Sequence, residues 1–154
     1  MTPAVRFLTV GQVVRIAQRV EPGAQVRDVG LLEAAVHRPQ ASVLGADAYP
    51  HLLNKAGAFM QSLIANHAFV DGNKRTGWAA TEVFLGLNGV HLARVLDVDA
   101  AEVFTLSIAE GSLTSVAEIA EGLAQWVDVG RAAPSAAVDA AEVLRVELRR
   151  VRGR

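Results

Sequence analysis

A chain of 154 residues can bury one hydrophobic core and is too short for two ordinary domains, so the length implies a single domain. Apolar residues make up 51% of it, yet no purely apolar run reaches the length of a membrane span, and residues 1–9 lack the pattern of a secretory signal, so a cytoplasmic protein without membrane attachment is expected. The absence of cysteine excludes disulfides, thiolate catalysis and cysteine-based zinc sites, and a net charge of −1 gives no global case for nucleic-acid binding.

In chain order, Thr9-Val-Gly-Gln12 has the spacing of a capping box and opens a helix over Val10 to Val20, which Glu21-Pro22-Gly23 ends. Asp28 caps a second helix, Val29 to His37, stopping before Pro39. From Gln40 to Pro50 the helical stripe is lost, which reads as a loop or a small hairpin. Between His51 and Asn66 the residues Leu52, Leu53, Ala56, Phe59, Met60, Leu63 and Ile64 recur at three-and-four spacing, the mark of a buried helix. A further helix runs from Asn73 to Leu87 and stops at Asn88-Gly89. Its apolar side is marked by Val83, Phe84 and Leu87, and Gly77, Ala79 and Ala80 allow close approach of a neighbour.

Asp97 precedes a helix to about Glu110, with Gly111 past its end, and Ser115 to Glu118 is a second capping box opening a helix to about Val127. Val103, Leu106, Ile108, Ile119, Leu123 and Trp126 are the core residues expected from this part. No stretch alternates long enough for a sheet, so the fold class is all-α, a helical bundle with at most one hairpin. The domain is assigned to residues 1–129. Residues 130–154 read as a linker with Gly130 and Pro134, then an amphipathic helix with Ala137, Ala141, Leu144, Leu148 and Val151 on one stripe and Arg145, Arg149, Arg150, Arg152 and Arg154 elsewhere. That stripe needs a partner: its own domain, a second copy in a homodimer, or another protein, with nucleic acid the weakest option.

Between the two central helices stands the densest polar chemistry of the chain, His67-Ala-Phe-Val-Asp-Gly-Asn-Lys-Arg-Thr-Gly-Trp78. Gly72 frees the backbone to turn, so Gly72, Asn73 and Lys74 present N–H groups at a helix N-terminus, an end that binds anions. Lys74 and Arg75 add two cations there, where they oppose the helix dipole unless a negative ligand is expected. Phosphate is the ligand that fits. Phe69, between the polar groups, reads as an anchor into the core.

His67, Phe69, Asp71, Gly72, Asn73, Lys74 and Arg75 resemble, without a gap, the signature loop of the Fic/Doc family, His-x-Phe-x-(Asp/Glu)-Gly-Asn-(Gly/Lys)-Arg. Lysine at 74, followed by Thr76, is closer to the Doc branch than to the AMP-transferring Fic branch, which carries glycine there and a second arginine where this chain has Trp78. The looser similarity covers roughly residues 7–127. The resemblance implies a Fic-fold helical bundle whose segment 41–49 is a flap over the active site, the alternative being an ordinary connection between helices. It also implies a toxin of a toxin–antitoxin pair with a Phd-like antitoxin, acting as a kinase that transfers phosphate from ATP to a threonine or serine hydroxyl of a protein, elongation factor Tu in the Doc branch, and so inhibits translation.

Within that framework a hydroxyl nucleophile needs a proton acceptor, and a histidine near its free pKa suits neutral pH, so His67 is the candidate general base. Asp71 is placed to hold Mg²⁺ against the nucleotide phosphates, although an acid beside a glycine turn is also a common turn former. Gly72, Asn73, Lys74 and Arg75 are the candidate ATP-binding residues, the amide and backbone holding phosphate oxygens and the cations offsetting charge in the transition state. His37, His51 and His91 lack such company and read as structural. Two alternatives stand beside the kinase: a nucleotide (AMP) transferase, and a catalytically idle Fic-fold binding module. The restraining pattern (Ser/Thr)-x-x-x-Glu-(Gly/Asn) finds no match, because Leu106 and Ala117 stand where Glu110-Gly111 and Glu121-Gly122 would need a hydroxyl.

Overall fold

The computed structural model describes residues 3–93 and 97–128, so the linker and the arginine-bearing helix expected beyond residue 129 lie outside the described residues. Six α-helices and one two-stranded hairpin make up this part: α1 Val10–Val20, α2 Val29–His37, β1 Ser42–Val43, β2 Ala46–Asp47, α3 Leu52–Ala65, α4 Asn73–Leu87, α5 Val98–Glu110 and α6 Val116–Ala124. No helix among the described residues is long and apolar enough to cross a membrane.

The helix starts follow from their caps. Thr9 Oγ1 accepts from the Gln12 N–H at 3.2 Å while Gln12 Oε1 accepts from the Thr9 N–H at 2.9 Å, closing the reciprocal box. Asp28 Oδ1 accepts from Leu31 N and Asp97 Oδ1 from Ala100 N, each at 3.0 Å, and Ser115 Oγ accepts from Glu118 N at 3.3 Å. Each cap answers donors that the first helical turn leaves without a backbone partner.

Helix α3 is the hub, buried along most of its length between α4, α6, α2 and α5. Phe59, Met60, Leu63 and Ile64 meet Val13 and Ala17 of α1, Leu32 and Val36 of α2, Phe84 and Leu85 of α4, and Ile119 and Leu123 of α6 in one core. A Cβ on Gly77 would lie 2.5 Å from Ile64 Cγ1, so α3 and α4 approach as only glycine permits. Trp126 carries the core outward, its ring edge-on to Trp78 at 5.4 Å and to Phe104 at 5.1 Å.

Two residues expected in the core, Val103 and Leu106, are not in it, and two that mark the apolar side of α4, Val83 and Leu87, are exposed. Val103 and Leu106 are exposed because α5 buries the face of Ala101, Thr105 and Ile108, and Val103 stands roughly 200° around the helix from Ala101. Val83 and Leu87 are exposed at the edge of α4, which buries Thr76, Gly77, Ala80, Thr81, Phe84 and Leu85. Helix α6 ends at Ala124 and not at Val127, because the chain leaves it to pair with residues 91–93: Val127 bridges Leu92, and Ala93 N donates to Trp126 O at 2.7 Å.

Pro39 does not simply end α2. A short 3-10 turn over Arg38–Gln40 contains it and leads to the hairpin. There Ser42 faces Asp47 and Val43 faces Ala46, with Leu44 and Gly45 at φ 52° and 82° as the central residues of the turn. Positive φ at both is the signature of the turn that matches strand twist. Buried Lys55 of α3 holds the hairpin's base, donating to Asp47 Oδ2 at 3.1 Å and to Tyr49 O at 2.5 Å. The Arg38 guanidinium lies 5.6 Å from the Tyr49 ring and donates to Gln61 and Ser62 of α3.

Candidate active site

Helix α3 stops at Asn66, and His67 takes a left-handed backbone, φ 52°, a conformation that costs a non-glycine residue about 1–2 kcal/mol. The reversal lifts the chain off the α3 axis and leaves His67 exposed, while Ala68 and Phe69 turn inward and are buried. Phe69 is the anchor expected, part of the main core. Gly72, φ 78°, then makes the second reversal and α4 begins at Asn73. A Cβ at Gly72 would fall 2.9 Å from Glu21 Cβ, so the position needs glycine for space as well as for φ.

His67, Asp71, Gly72, Asn73, Lys74 and Arg75 all line one open cleft of about 510 Å³, so the six residues selected from the sequence are brought together. Its other walls are Glu21, Ile64, Val70 and Ala109, and residues 41–49 of the hairpin are not among the lining residues. Thr76 N–H to Gly72 O, at 2.9 Å, is the first bond of α4, so the N–H groups of Asn73, Lys74 and Arg75 have no acceptor within the helix and mark its positive end.

Two groups differ from their expected employment. The Asn73 side chain is spent on the loop, its Oδ1 accepting from Phe69 N and its Nδ2 donating to Phe69 O, both at 3.0 Å. What Asn73 offers an anion is therefore its backbone N–H. The Gly72 N–H is likewise taken, by Asp71 Oδ1 at 2.7 Å, so Asp71 forms the local turn and has its second oxygen to offer. Asp71 and Lys74 are exposed, and among the described residues Lys74 makes no ion pair. Arg75 Nη1 is paired with Glu21 Oε2 at 2.9 Å.

The loop is held from a side that sequence reading did not single out. The segment between α1 and α2 runs antiparallel to it: Arg27 N and Asp28 N donate to Ala68 O at 2.7 and 3.1 Å, Val70 N donates to Gln25 O at 2.9 Å, and Val26 bridges Phe69. Arg27 Nε also donates to His67 O at 2.8 Å. Glu21, at the C-cap of α1, was read only as part of a helix stop, yet it covers Gly72 and faces Arg75. Partners 40 and 54 positions away give no local signal of such contacts; a lone acid and a lone arginine beside short turns are the only clues.

The other histidines stay away from this cleft. His37 Nδ1 lies 2.8 Å from Glu33 O on its own helix, and neither His51 nor His91 lines the site. Trp78 belongs to the aromatic cluster with Trp126.

Chemically, the cleft joins an exposed imidazole, a helix N-terminus with free donors, two cations and two carboxylates, the components of a site for a phosphorylated ligand. A family model described as "Fic/DOC family" matches residues 7–85, which include this loop, all of α3 and α4 as far as Leu85. Among curated proteins, the chain is 54% identical over 108 residues to "Toxin Doc" of Mycolicibacterium smegmatis, a match that covers 69% of this chain and 83% of that protein.

Proposed function

This chain belongs to the Fic/DOC family, and from that membership we propose that it is a Doc-type toxin kinase, which transfers the γ-phosphate of ATP to a serine or threonine hydroxyl of a protein target. The observation that carries the reading is the convergence of the His67 imidazole and the N-terminus of α4, with Lys74 and Arg75, on one cleft. Elongation factor Tu is the target that likeness to the Doc branch suggests, with arrest of translation as the consequence. The name of the M. smegmatis relative supports a toxin role, and a Phd-like antitoxin is the partner such a toxin requires.

In this reading His67 accepts the proton of the target hydroxyl as its oxygen attacks the γ-phosphorus, the bond to the β,γ-bridging oxygen breaks and ADP leaves. The N–H groups of Asn73, Lys74 and Arg75 and the two cationic side chains hold the phosphate oxygens and offset the charge that spreads over them. Asp71, exposed on the cleft wall with one carboxylate oxygen not used by the Gly72 N–H, would hold a magnesium ion. Magnesium there would neutralise charge between the phosphates. Lysine at 74 favours γ- over α-transfer, since its side chain takes space and adds a point charge where glycine would admit the triphosphate more deeply.

Incubation of the purified protein with cell extract, Mg²⁺ and ATP labelled at either the γ or the α phosphate tests the assignment. Label from γ-ATP alone, lost in His67→Ala by about 10²-fold or more, is expected. Label from α-ATP alone would make the protein an AMP transferase. No transfer from either, with equal growth arrest by wild type and His67→Ala, would point to a binding module.

A further inference from the structure

We infer that Arg27 is a positioning residue for His67: its guanidinium fixes the peptide that aims the imidazole into the cleft. The inference rests on the kinase reading above for its consequence on rate, and on the loop's own geometry for its substance. His67 is in the left-handed region without being glycine, so the site stores backbone strain that something must hold. The groups after it are each tied: Ala68 O by two backbone donors, Phe69 N and O by the Asn73 side chain, and Val70 N by Gln25 O. At the strained residue itself, the bond from Arg27 Nε to His67 O, 2.8 Å, is the tie.

Arg27 is well prepared for this task. Its own N–H donates to Ala68 O at 2.7 Å, and Val26 bridges Phe69, so the backbone that carries the guanidinium is locked to the loop one residue from its target. The planar guanidinium then presents its Nε–H in a set direction toward the carbonyl. Arg27 is not among the residues lining the cleft, which separates it from Lys74 and Arg75 as a phosphate ligand. The phosphate-binding turn has independent support from the Asn73 and Glu21 contacts. Loss of the Arg27 bond therefore lets His67 relax toward an ordinary backbone conformation and swings the imidazole out, without disturbing the nucleotide seat.

Arg27→Met keeps the apolar stem and removes the donor; Arg27→Lys keeps a cation with a different donor geometry. In the full chain, with the modified extract protein as readout, Arg27→Met is expected to lower kcat by about 10- to 100-fold while KM for ATP stays within roughly twofold. Arg27→Lys should fall between Met and wild type. In isotope-labelled protein, the His67 HN–Hα coupling and Cα shift should move from left-handed values toward ordinary ones in Arg27→Met. A rise in KM at constant kcat would make Arg27 a nucleotide ligand and overturn the inference, and so would an unchanged kcat or unmoved His67 signals. If Arg27→Met fails to fold, the Lys variant carries the same readings. Should wild type transfer nothing from ATP, the kinase reading falls alone, because the His67 backbone signals still decide the role of Arg27.

Discussion

At the scale of single residues, the cleft is a balance of charges. Arg75 and Lys74 invite phosphate, while Glu21 and Asp71 place negative charge on the same walls. Glu21 is positioned against a nucleotide twice over: its carboxylate holds Arg75 Nη1 at 2.9 Å, and its methylene groups cover Gly72. Replacing it with glutamine removes repulsion and frees the guanidinium. For such a solvent-screened pair the effect is about 0.2–1 kcal/mol, so Glu21→Gln should lower KM for ATP by roughly 1.4- to fivefold. Titration of KM against salt checks the cause, because the difference between variant and wild type should shrink as ionic strength rises. A KM unchanged or raised at low salt would show that Glu21 serves to orient Arg75 for binding.

At the scale of elements, two contacts decide how the site is carried. The first is α3 on α4, where a Cβ at Gly77 meets Ile64 Cγ1 at 2.5 Å. Gly77→Ala gains helix propensity but overpacks a close contact, and a net loss of about 1–3 kcal/mol is expected from chemical denaturation. Gly77→Ala combined with Ile64→Ala, which removes both Cγ1 and Cδ1, should cost less than the sum of the two single losses. The second is the base of the hairpin, where Lys55 is buried and its partner Asp47 is mostly exposed. That asymmetry makes the two halves of the pair unequal. Asp47→Ala leaves a buried ammonium with Tyr49 O and should cost about 1–3 kcal/mol, whereas Lys55→Met returns an exposed carboxylate to water and should cost less. Equal losses in the two variants would mean that the hairpin is held by Arg38 and Tyr49 and not by this pair.

At the scale of the whole molecule, every core residue among those described lies between Leu8 and Trp126, and the described chain closes on itself where Val127 bridges Leu92 and Asp128 N donates to His91 O. A chain ending at Val129 keeps that core whole and is expected to unfold in one cooperative step, with Tm within about 5 °C of the full chain. A larger drop, or a change in mass in solution between the two, would assign the arginine-bearing segment to the core or to a homodimer contact.

Helix positions were legible in the sequence because caps and periodicity are local: Thr9, Asp28, Asp97 and Ser115 each satisfy a donor three residues away, and α3 repeats its apolar spacing over four turns. The gathering of His67 and residues 71–75 was legible too, since nine consecutive residues across one turn cannot lie far apart. Burial within a helix was not, as Val103 and Leu106 show, because hydrophobicity names candidates but only packing chooses the face. Tertiary structure alone brought Arg27 to the His67 carbonyl and Glu21 to Arg75, across 40 and 54 residues. Contacts of that reach depend on where α1 ends relative to α4 once the core has closed, and no pattern confined to a few neighbouring residues encodes that distance.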